Sequence, residues 1–83
     1  MPVQTEVTVR MYPNPVGDLL YISTPTETRK LTIHNITGQL VREMNFKTTG
    51  NFTIKTGDLI SGAYFVTLET GDGARMTQKI MKK

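Results

Sequence analysis

The sequence has no cysteine, no tryptophan and a single histidine. Without cysteine no disulfide can staple the fold, and no Cys/His cluster can hold zinc. His34 has no acid at metal-ligand spacing and is assigned to a solvated strand face, so no metal or other cofactor is expected. Three Tyr and three Phe make up the aromatic complement, too few for the stacked aromatic groove of a carbohydrate-binding sandwich. No apolar run reaches the roughly 18 residues that a spanning helix needs. Met1 to Glu6 has neither the basic nor the apolar region of a secretory signal, so an exported protein would carry its signal upstream. These first six residues are read as a linker or the artificial start of an expressed fragment, and 7–83 as one domain. A chain of this length buries only about 60% of its unfolded surface, which predicts a thin core without large cavities.

What is present in excess is positive charge, and it is unevenly placed. Ten Lys and Arg face seven Asp and Glu. Arg75, Lys79, Lys82 and Lys83 lie in a closing stretch without an acid, so the rest of the chain carries six bases against seven acids. All of the excess is therefore at the carboxy terminus. Such an end attracts an anionic surface over about 8 Å at physiological salt; it also protects an edge strand from aggregation.

Short β-favouring runs alternate with turn residues, and nowhere do apolar residues keep helical spacing for three turns. The chain is read as all-β, with strands over 6–12, 19–23, 30–35, 39–46, 51–55, 63–69 and 75–82, a spacing typical of a β-sandwich. Because successive side chains point to opposite faces, Leu31 and Ile33 share one side of their strand, as do Tyr64, Val66 and Leu68 of theirs. The expected core comprises these five with Val7, Val9, Leu20, Ile22, Leu40, Phe52, Ile54, Leu59, Met76 and Ile80. Met11, Met44, Met76 and Met81 are read as gap-fillers.

Turn chemistry agrees with these divisions. Pro13 and Pro15 fix φ near about −65° and remove two amide donors, and Pro15 biases Asn14 away from helix, so the chain must leave its first strand at this corner. Gly38 closes the turn after the third strand, and Gly71-Asp72-Gly73 makes a hairpin between the last two. Gly62 is expected to permit a turn that delivers Tyr64 to the core, where its hydroxyl reaches a backbone partner.

Four blocks, in order, carry a resemblance: Tyr12-Pro13-Asn14-Pro15 with Gly17-Asp18-Leu19; Ile36-Thr37-Gly38-Gln39-Leu40-Val41; Leu59-Ile60-Ser61-Gly62-Ala63-Tyr64-Phe65-Val66; and Lys79-Ile80-Met81-Lys82-Lys83. From about Val7 to Lys83 the sequence resembles the type A carboxy-terminal sorting domain of cargo proteins of the type IX (Por) secretion system. The resemblance implies an Ig-like antiparallel β-sandwich of about seven strands at the end of a larger secreted protein. It further implies recognition by the outer-membrane translocon of a Gram-negative bacterium, passage through the periplasm to the cell surface or beyond, removal of the domain by a surface sortase, and anchoring of the upstream cargo to lipopolysaccharide. Lys79, Lys82 and Lys83 are the recognition candidates, while Pro13, Asn14, Pro15, Gly38, Gly62 and Tyr64 are read as turn and fold determinants.

No catalytic residues are assigned. Ser23 and Ser61 have no base that the sequence places beside them, and the acids are scattered, so neither a triad nor a carboxylate pair assembles and the chain is not read as an enzyme. A carbohydrate-binding or adhesive β-sandwich is the alternative reading, opposed by the scarcity of aromatics. A nucleic-acid binder is opposed by the absence of interleaved aromatic and basic residues on one strand pair. Asn35-Ile36-Thr37 and Asn51-Phe52-Thr53 match a glycosylation pattern that arises by chance in Thr-rich strands. Open sheet edges predict pairing or swapping of terminal strands in an isolated domain.

Overall fold

Alternating apolar and polar side chains, broken by Gly, Pro and Asn, produce seven strands: β1 (Arg10–Tyr12), β2 (Leu19–Ser23), β3 (Glu27–Asn35), β4 (Leu40–Thr49), β5 (Phe52–Lys55), β6 (Gly62–Thr70) and β7 (Arg75–Lys82). This is a computed structural model, and it describes residues 9–83. The part of the expected first strand before Val9, including Val7, lies outside the described residues. The strands form two antiparallel sheets, a three-stranded one in the order β1-β2-β5 and a four-stranded one in the order β4-β3-β6-β7. Packed face to face, they make the expected Ig-like sandwich.

The core lies between the sheets. Leu20 and Ile22 of β2 meet Leu31, Ile33, Val66, Leu68 and Ile80 of the larger sheet, all essentially without solvent contact, with Met11, Val16, Ile54, Leu59 and Tyr64 completing the cluster. Each such side chain contributes on the order of 1.5–3 kcal/mol by leaving water. Val9, Met44, Phe46 and Phe52 line the rim, the two Phe rings tilted against one another with centroids 5.0 Å apart. Met76 is half-buried.

Leu40 departs from the expected core: it is 54% exposed. The cause is a register shift. Ile33 pairs with Arg42, but the next residue, His34, pairs with Leu40, so Val41 is an extra residue in β4. A bulge of this kind turns the residues beyond it to the other face, and simple alternation counted back from Met44 fails at that point. Conversely Val16, placed in a turn block by its sequence neighbours, is fully buried. It pairs in parallel with Lys82, outside any regular strand.

The odd-numbered strands run toward one end of the sandwich and the even-numbered strands away from it. Tyr12, Leu19, Asn35, Leu40, Lys55, Gly62 and Lys82 thus gather at what we term the basic end. Ser23, Glu27, Thr49, Phe52, Thr70 and Arg75 mark the opposite, threonine-rich end. The longer strands, at about 3.3 Å per residue, separate the two by roughly 30 Å.

Candidate functional site

The carboxy-terminal strand is an edge strand, and its last residues are held by the proline corner. The peptide bonds Tyr12–Pro13 and Asn14–Pro15 are both cis, and the corner carries Asn14 and Val16 against β7. Asn14 Oδ1 accepts from the Met81 amide at 2.9 Å. The Val16 amide donates to the Met81 carbonyl at 2.7 Å, and the Lys83 amide donates to the Val16 carbonyl at 3.0 Å. Two features far apart in sequence therefore form one unit. The same loop is anchored within its own sheet by the buried Thr56 at the end of β5, whose hydroxyl donates to the Gly17 carbonyl at 2.7 Å and whose amide donates to the Asp18 carbonyl at 2.8 Å. Neither Val16 nor Thr56 stood out in the sequence, since neither sits in a periodic apolar run.

Gly62 and Tyr64 meet this unit from the neighbouring strand. Gly62 pairs with Lys82 and Tyr64 with Ile80. Gly62 has φ 148°, a conformation that side chains rarely adopt, and a Cβ there would meet no atom within 4 Å, so its requirement is conformational. Tyr64 is buried and its hydroxyl donates to the Ile60 carbonyl, the backbone partner expected for it. Gly38, with φ 89°, closes the β3–β4 turn by donating to the Asn35 carbonyl at 3.0 Å. In the same turn Asn35 Oδ1 accepts from the Thr37 amide, the Thr37 hydroxyl and the Gln39 amide.

The three candidate lysines do not form a single row. Lys79 is exposed on the outer face of β7, whereas Lys82 belongs to the inward-facing alternate set, half-buried at the open rim, and Lys83 is exposed beyond the strand. None of them pairs with an Asp or Glu side chain among the described residues, and Lys82 Nζ donates to the Lys83 main-chain oxygen at 3.4 Å. Near Lys82, Arg42 spans the gap between the sheets: it donates to the Lys55 carbonyl at 2.6 Å and pairs with Asp58. That hydrogen bond is the main reason the Asp58 carboxyl is held below its ordinary range, with burial opposing it and the charges of Arg42 and Lys82 assisting.

His34 lies half-buried on the outer face of the larger sheet, in a shallow groove of about 360 Å³ with Thr32, Thr67 and Thr77. The groove's cations are neutralised locally, Lys30 by Glu43 at 2.9 Å and Arg75 by Glu69 at 3.7 Å. Among the described residues no cluster of three or more His, Cys, Asp or Glu could hold a metal, and no helix is long and apolar enough to cross a membrane.

All four sequence blocks that carry the resemblance thus converge on the basic end. The secretion system C-terminal sorting domain family matches residues 10–83. The chain belongs to this family. It is a C-terminal sorting domain of type IX secretion, a signal carried by secreted or cell-surface proteins, and its family is not a family of enzymes. No curated protein matches the chain. Among solved structures, the sorting domain is similar to CopC from Methylosinus trichosporium OB3b, at 16% identity over 90% of this chain and 91% of that one, with a TM-score of 0.53. At that identity the likeness shows a common fold and nothing more.

Proposed function

We propose that the basic end is the element read by the type IX outer-membrane translocon, with Lys79, Lys82 and Lys83 supplying the charge that is read. In this reading a surface sortase then removes the domain and joins the upstream cargo to lipopolysaccharide. The supporting observation is the convergence of all four sequence blocks on one end, where Asn14 and Val16 fix the last residues of β7. A receptor gains most from a surface ordered before binding, because little entropy is then lost on contact.

Because the Lys83 amide bonds to Val16 and Lys82 pairs with Gly62, truncating these two residues would remove backbone contacts together with charge. Neutralisation separates the two effects. A reporter fused to the sorting domain with Lys79→Gln, Lys82→Gln and Lys83→Gln is expected to fold with an unchanged melt and to remain cell-associated in a type IX-competent host. Normal export of that reporter would refute recognition through the lysines. Cleavage and lipopolysaccharide attachment are tested separately, by the mass and electrophoretic heterogeneity of the exported wild-type reporter.

A further inference from the structure

The basic end also gathers exposed apolar side chains. Ile36, at the tip of the β3–β4 turn, is 70% exposed, and Ile60, in the β5–β6 loop, is 81% exposed. Behind these tips stand Leu40, Val41 and Met81, all exposed. Tyr12, Leu19 and Tyr21 are also exposed, on the outer face of the smaller sheet, where the Tyr12 and Tyr21 rings stack with centroids 5.7 Å apart; the aliphatic loop tips among the described residues are those of the basic end.

Both tips are held rigidly. Asn35 Oδ1 takes three donors from Thr37 and Gln39 around Ile36, and the Tyr64 hydroxyl is bonded to the carbonyl of Ile60 itself. Lys55, Lys79, Lys82 and Lys83 are near these tips and outside the ion pairs. Of the acids at this pole, Asp58 is engaged by Arg42 and Asp18 is exposed outside the ion pairs, so the four lysines still leave the pole with an excess of positive charge.

We propose that this pole docks peripherally on an anionic phospholipid surface, with Ile36 and Ile60 entering the headgroup–acyl boundary and the lysines lying against lipid phosphates. Charge complementarity selects an anionic partner. The aliphatic tips stand on different loops, and a fluid lipid surface lets each insert independently, a contact additional to recognition of the lysines. Affinity then has two components, apolar insertion and salt-sensitive attraction. The inference goes beyond the secretion reading and does not rest on it.

The test uses the 83-residue chain with sedimented vesicles of phosphatidylethanolamine mixed with phosphatidylglycerol, against vesicles of phosphatidylcholine alone. Binding is expected only to the anionic vesicles and to weaken as salt rises. The double variant Ile36→Ser/Ile60→Ser should bind about tenfold more weakly, and each Lys→Gln change about fivefold more weakly. Since the chain has no tryptophan, Ile36→Trp supplies a unique fluorophore, with Thr49→Trp at the far end as its control. Emission should shift to the blue on anionic vesicles for the first and stay unchanged for the second. Absence of vesicle binding, equal binding to both lipid compositions, undiminished binding by the Ile36/Ile60 double variant, or the same spectral response at both tryptophans would each overturn the proposal. Capture of an outer-membrane protein without vesicle binding would assign the pole to a protein partner and overturn it equally.

Discussion

The two ends of the sandwich are closed by different kinds of contact. At the threonine-rich end the bonds remain within a sheet: the Thr24 amide donates to Asn51 Oδ1 at 3.2 Å inside the smaller sheet, and the Gly71 amide donates to the Glu27 carbonyl at 3.0 Å inside the larger. At the basic end bonds cross between sheets, from the β1–β2 loop to β7 and from Arg42 of β4 to Lys55 of β5, while Thr56 anchors the β1–β2 loop within the smaller sheet. The difference teaches where the architecture is joined. Hairpins close themselves through local turn chemistry, whereas joining two sheets requires partners brought together from distant parts of the chain. The family's sequence blocks lie where that joining occurs.

The largest effect expected from this contrast is at Val16. Val16→Ala removes fully buried methyl groups at the junction and should cost about 2 kcal/mol in urea unfolding. A loss no greater than that of an exposed threonine substitution at the far end would break the contrast. Next comes Gly62→Val, expected to cost about 1 kcal/mol or more because the side chain is forced to φ 148°. An unchanged denaturation midpoint would show that β6 can begin without that geometry.

The threonine-rich end offers the opposite sign. Thr28 Oγ1 is buried with no hydrogen-bond partner. Thr28→Val keeps the branched shape while removing the orphaned hydroxyl, and should raise stability by about 1 kcal/mol. A lower midpoint would mean that the hydroxyl is satisfied in solution.

The smallest effect is electrostatic and appears at both poles. Asp58 is lowered chiefly by its hydrogen bond from Arg42, and Asp72 chiefly by the Thr70 hydroxyl, assisted by the Ala74 amide. A carboxyl with a depressed folded-state pKa stabilises fully above its unfolded pKa, and that stabilisation disappears as pH falls through the folded value. Acid titration of the melting temperature should therefore show a shallower decline for Asp58→Asn and for Asp72→Asn than for the wild type. Both carboxyls are exposed, so the differences should be small. Identical acid profiles would remove either pair from the stability of the fold.

Much of the fold was legible because its determinants are local. β7 spans the residues expected of it, and alternation placed Tyr64, Val66 and Leu68 inward as found. β3 begins earlier than expected, at Glu27, because polar residues around the register shift at Arg29 conceal its period. Leu40 was misplaced because a bulge at Val41 leaves no mark on alternation, and Val16 was missed because a single buried residue has no period at all. The candidate site was legible as four separate blocks. Their convergence was not, since it depends on pairings such as Asn14 with Met81, which topology alone creates.

The most direct measurement compares export of two reporters under the same conditions, one with Lys79, Lys82 and Lys83 changed to Gln, the other with Arg29, Lys47 and Arg75 changed to Gln at or toward the threonine-rich end. With both domains folded, export should be lost for the first reporter and retained for the second. Equal export of the two, or loss of both, would contradict recognition through the basic end.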